Sequence, residues 1–177
     1  MVQKYGVLTV GEIDLMVHTT LVSLGAAKVI DEATGRYEIT DVAKANSTNI
    51  LPMVLNPHGK KGWRLRAVNR MECFIFEVDE NRPVEYMVST PPDLDQLALK
   101  MLHEDGYAKY RVDDDGKQHF EITDPLNARI QSVLPEMLAA ISESGWQLAA
   151  ISGPQLYFFI RAIGANHEHI GDKDIKL

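Results

Sequence analysis

The sequence predicts an α+β protein, a tandem duplication of one β-α-β-β-α-β-β unit, with antiparallel sheets packed against helices and a pseudo-twofold relation between the halves. Three observations predict it. The chain repeats its own motifs in one order, apolar residues switch between helical and alternating spacing inside each repeat, and Gly and Pro fall at matching points of both copies.

The repeat is visible residue by residue. GAAK at 25–28 matches GYAK at 106–109, YEITD at 37–41 matches FEITD at 120–124, and ILP at 50–52 matches VLP at 133–135. GWRL at 62–65 then matches GWQL at 145–148, and CFIFE at 73–77 matches LYFFI at 156–160. Without gaps, 5–28 against 86–109 gives 8 identities in 24 positions, and 37–78 against 120–161 gives 13 in 42. Chance gives roughly four over both stretches for average composition. The units predicted are 1–80 and 81–163, followed by a polar tail at 164–177.

Each unit opens with a short strand, Tyr5–Thr9 or Tyr86–Thr90, and a helix follows. In the second copy Thr90-Pro-Pro-Asp93 supplies a hydroxyl N-cap, proline at N1 and an acid at N3. Leu94, Leu97, Met101 and Leu102 recur at helical spacing, as do Ile13, Met16, Val17, Leu21 and Leu24 in the first copy. Gly25 and Gly106 stop these helices. A hairpin follows, turning at Glu32-Ala-Thr-Gly35 or Asp113-Asp-Asp-Gly116. The second helix of the second copy is expected to start at Asp124-Pro125 and to kink or split at Pro135. Its counterpart holds Pro52, Pro57 and Gly59 and is expected to be shorter and irregular. The last hairpins are 63–69 with 72–78, and 146–152 with 156–162.

Composition excludes several classes. Apolar residues at 45% and charged residues at 24% describe a globular chain rather than a disordered one. The 18 basic and 25 acidic residues leave a net charge of -7, so any polyanion site is a local patch. One cysteine, Cys73, excludes an internal disulfide and fits a reducing compartment. No apolar run is long enough to span a membrane, and acids at 12 and 14 interrupt the N-terminus too early for a signal peptide. The expectation is a cytoplasmic protein.

Two resemblances follow from the repeat. The ending helix, Gly-Trp-x-Leu, short strand and aromatic strand resembles a small bacterial domain family of unknown function whose members carry Gly-Trp-Glu-Leu and a Phe-rich strand. Gly145, Trp146, Leu148 and Phe159 match it, as do Gly62, Trp63, Leu65 and Phe76, while Gln147 and Arg64 replace the Glu. This likeness covers roughly a third of each unit and implies no chemistry. The architecture is also similar to Whirly-type single-strand nucleic-acid binders, including phage-encoded RNA-binding versions. No residue motif carries that comparison, and the extra first helix departs from it.

The chemistry is concentrated in His58-Gly-Lys-Lys-Gly-Trp-Arg-Leu-Arg-Ala-Val-Asn-Arg70, the one basic stretch of an acidic chain. Strand alternation predicts Trp63, Leu65 and Ala67 toward the core. Arg64, Arg66 and Arg70 then share the other face, with Lys60 and Lys61 in the loop leading in. Guanidinium forks in a row suit phosphates. The plainer alternative is a solvated strand whose arginines pair with Glu72 or Glu77 across the hairpin.

Other candidates carry less. Asp113-Asp-Asp-Gly-Lys117 lacks the alternating acids and closing Glu of a calcium loop and reads as a turn. His167-Glu-His169 lies in the tail. His18 and His103 have no nucleophile nearby, and Cys73 reads as a buried, inert thiol. GxSxG, Walker A, GxGxxG, HExxH and CxxC are all missing, so neither catalytic residues nor a cofactor or metal are expected. The leading reading is a non-enzymatic binder of single-stranded RNA or DNA through Lys60, Lys61, Arg64, Arg66 and Arg70. The alternatives are a protein–protein adaptor or inhibitor, phage-encoded in one version, and a protein holding a small phosphorylated ligand between the repeats. Self-association into a homo-oligomer stays open.

Overall fold

The computed structural model describes residues 3–31, 34–69, 73–126, 128, 130–152 and 156–164. The expected class holds: helices alternate with strands in antiparallel sheets. The order is β1 (Lys4–Thr9), α1 (Val10–Ser23), β2 (Ala27–Asp31), β3 (Arg36–Ile39), α2 (Ser47–Gly59), β4 (Trp63–Val68) and β5 (Cys73–Val78). It continues with β6 (Val84–Ser89), α3 (Pro91–Glu104), β7 (Ala108–Val112), β8 (Gln118–Ile122), α4 (Ile130–Glu143), β9 (Gln147–Ser152) and β10 (Leu156–Ala162). The element series therefore occurs twice. So do the sheet orders, β1-β5-β4 with β6-β10-β9 and β2-β3 with β7-β8.

Compactness does not follow the two halves of this element series. Met1–Ser89 joins with Leu148–Asn166 in one unit, so β6 and β10 belong with the first five strands, and Thr90–Gln147 falls in another. In the first unit Leu8, Leu65, Phe74 and Phe76 turn inward from the first sheet. They meet Ile13 and Leu21 of α1, four buried residues of α2, and Val84, Tyr86, Phe158 and Ile160 of β6 and β10. In the second unit α3 packs against α4 and β7. Leu94, Ala98 and Leu102 are buried on α3, and Val133, Met137 and Ile141 on α4.

Local chemistry explains most boundaries. Thr90 caps α3 with Pro91 at N1 and a reciprocal Asp93, and Thr9 with Glu12 forms the same capping box on α1. Thr9→Ala should cost about 1 kcal/mol, read as a lower urea midpoint at unchanged slope.

Two expected boundaries move. Asp124 does not start a helix: its Oδ1 accepts from the Leu126 N–H, its carbonyl from the Ala128 N–H, and α4 begins only at Ile130. The short Asp side chain closes a local turn instead. Nor is α2 short. It runs for 13 residues through both Pro52 and Pro57, capped by Asn46 and held along β6. Tertiary burial of Ile50, Leu51, Val54 and Leu55 offsets what the prolines cost.

Candidate nucleic-acid interface

Strand β4 sits at one border of the β1-β5-β4 sheet, so one side of its backbone has no strand partner among the described residues. Tyr86 of β6 covers part of it. Its hydroxyl accepts from the Leu65 N–H at 2.9 Å and donates to the Trp63 carbonyl. The Tyr86 N–H in turn donates to Asn56 Oδ1 of α2 at 2.7 Å. Burial pushes the Tyr86 phenol well above its ordinary value, so the donating O–H persists far into the alkaline range.

The basic stretch divides around this anchor. Lys60 and Lys61 are exposed, as expected. Trp63 and Leu65 turn inward, with Leu65 fully buried and Trp63 half-buried on Phe76 at 5.5 Å between rings. Arg64 turns to the other sheet face opposite Glu77. There the alternation breaks. The register shifts between Leu65 and Ala67, leaving Arg66 as the extra residue of a bulge. Ala67 then pairs with Ile75, and Val68 packs on the core in its place. Ala67 is thus a correction to the strict two-residue period, and the inserted residue is its cause.

The arginines do not form an open row. Arg66 is exposed but bound to Glu77, with Nε at 2.7 Å from Oε2, which is the pairing the plainer reading expects. That bond holds the Glu77 carboxyl below the usual carboxylate range. Arg64 is only 9% exposed, a correction to its expected solvent exposure, and its Nε and Nη1 have no hydrogen-bond partner among the described residues. Desolvation lowers its pKa, helped by the positive charges of Arg82 and Arg66. Arg82 was missed in the sequence because it stands in the turn after β5. The signal available was the Asp79 N–H bonding back to Gly62, which a hairpin register implies. Arg70 and Glu72 lie outside the described residues, as do His167 and His169.

On the Trp63 side, Lys61, Trp63, Val78 and Glu80 line an open groove of about 360 Å³. The edge of the His58 ring meets the indole at 5.3 Å, and burial followed by the Lys61 charge lowers the His58 pKa. The corresponding positions of the second half differ here. Trp146 is also half-buried, but Gln147 and Ala149 stand where Arg64 and Arg66 do, and Tyr5, the counterpart of Tyr86, is 61% exposed.

The other candidates take structural places. His18 stacks on Tyr37 at 4.3 Å, and His103 Nδ1 lies 2.9 Å from the Ala108 carbonyl. Asp113 Oδ1 accepts from the backbone of Asp115 and Lys117, closing a hairpin turn. Cys73 is half-buried rather than buried, because it begins β5 on the outer face. Among the described residues no cluster of three His, Cys, Asp or Glu is placed to hold a metal ion. Nor is any described helix long and apolar enough to cross a membrane. Comparisons with protein-family models, characterised proteins and solved structures return no match.

Proposed function

We propose that the protein is a non-enzymatic binder of single-stranded nucleic acid, RNA in the first instance, acting at the start of β4 in the cytoplasm. The observation that carries this is the groove in which an exposed lysine and an indole ring lie together. An aromatic face stacks a base of any identity, while cations follow the backbone. Lys61 and Trp63 supply both within one strand turn, Lys60 adds a second cation, and Glu80 can accept from a base amino group. The net charge of -7 confines the contact to a few phosphates and disfavours long duplexes.

Titration of labelled single-stranded RNA at several salt concentrations tests this. Affinity should fall as salt rises, and Lys60→Ala with Lys61→Ala should flatten the log–log slope by about 1.4, two contacts at about 0.7 each. Trp63→Leu should weaken binding by about 1–3 kcal/mol at unchanged slope. Equal affinities and slopes for all three proteins would eliminate the groove. The adaptor reading retains one observation, the exposed Val29, Ile30 and Ile39 on the β2–β3 hairpin. It would lead if Val29→Ser with Ile39→Ser abolished a stoichiometric protein complex while RNA binding stayed absent.

A further inference from the structure

We propose that Arg64, with Arg66 and Arg82, seats one phosphomonoester-type dianion on the sheet face opposite Trp63. Three observations meet there. Arg64 is nine-tenths buried, and two of its nitrogens have no hydrogen-bond partner among the described residues. A buried guanidinium left without an acid is costly, and removing the imbalance requires an anion. The obvious internal one, Glu77, stands opposite Arg64 in the register but is engaged by Arg66.

The turn after β5 also brings a third cation, Arg82, together with the acid Asp79. The Asp79 N–H donates to the Gly62 carbonyl at 2.9 Å and the Arg82 N–H donates to the Asp79 carbonyl at 3.0 Å, folding the turn back beside the start of β4. The charges acting on Arg64 are Arg82 and Arg66 against Glu77 and Asp79, so the five groups together remain positive.

A tetrahedral dianion fits better than a phosphodiester. It carries up to two charges near neutral pH and more acceptor oxygens for the guanidinium forks. Two sources offer this chemistry, the terminal phosphate of an RNA strand and free phosphate. Only the first rests on the reading above.

Two measurements test the seat. In thermal unfolding, inorganic phosphate should raise the midpoint of the wild type above that in chloride at matched ionic strength. Arg64→Met should fold as well as the wild type, since an apolar residue replaces a buried guanidinium with two unsatisfied nitrogens, and should lose the phosphate response. Arg82→Gln changes an exposed side chain, so it keeps the test open should Arg64→Met fail to fold. Its apparent phosphate affinity should drop about tenfold.

In the second measurement, 5′-phosphorylated RNA should bind the wild type about tenfold tighter than the 5′-hydroxyl strand, and Arg82→Gln should erase that ratio. The absence of a phosphate response in the wild type, or an undiminished response in Arg82→Gln, overturns the seat. RNA binding that persists without any phosphate response sinks the seat and spares the groove. A phosphate response lost in the variants without any RNA binding does the reverse. The same response with equal affinities for both strands assigns the seat to free phosphate.

Discussion

Gly62→Ala is expected to destabilise the protein by about 2–5 kcal/mol. Gly62 has φ +81°, which costs an L-residue about 1–2 kcal/mol by itself. A Cβ there would also stand 1.9 Å from the Asp79 carbonyl oxygen and 2.4 Å from its carbon. Backbone cannot swing aside as a side chain does, so overpacking adds about 1–3 kcal/mol. Gly25 provides the control, with φ +67° and nothing within 4 Å of its added Cβ. Gly25→Ala should therefore show only the conformational cost. Urea unfolding of both variants at equal slopes checks the difference, and equal losses would contradict the close approach of the 79–82 turn to β4. Because Gly62 joins Lys61 to Trp63, Gly62→Ala should weaken RNA binding beyond what its stability loss explains.

Tyr86→Phe is expected to cost about 2–6 kcal/mol although it removes a single atom. The ring is 3% exposed and its packing survives the change. What is lost is the partner of two backbone groups, the Leu65 N–H and the Trp63 carbonyl, at the border of β4. Orphaned buried groups cost about 1–3 kcal/mol each. The same hydroxyl sets an alkaline limit. An unfolded tyrosine titrates near pH 10, and burial raises the folded value above that. The stabilisation is thus fully present below about pH 10 and is lost as pH rises toward the folded value. Wild-type stability should fall above about pH 10, and the Tyr86→Phe profile should be flatter there. Parallel profiles would show that Tyr86 does not carry this dependence.

Much of the fold was legible because its signals are local. Thr90-Pro-Pro-Asp93 names a helix start through chemistry contained in four residues, and the repeated GAAK, EITD and Gly-Trp-x-Leu segments put the same elements in both copies. Asp124-Pro125 misleads for the same reason: a side chain that caps a helix also closes a turn, and only the surrounding chain decides between them. The prolines of α2 mislead in the opposite direction, since the burial that sustains this helix comes from β6, distant in sequence. At the site, the basic stretch was visible but its two faces were not. The bulge at Arg66 breaks alternation without any glycine to announce it, Arg64 is buried on the face where alternation expects solvent, and the role of Tyr86 depends on a hydroxyl crossing between strands.

The central claim, that the start of β4 meets single-stranded nucleic acid, is tested most directly by following backbone amide resonances as single-stranded RNA is added at low salt. Shifts centred on residues 60–66 and 79–82 are expected, fading as salt rises and absent in the Lys60→Ala, Lys61→Ala protein. Shifts confined to the β2–β3 or β7–β8 hairpins, or a spectrum that does not change, would contradict it.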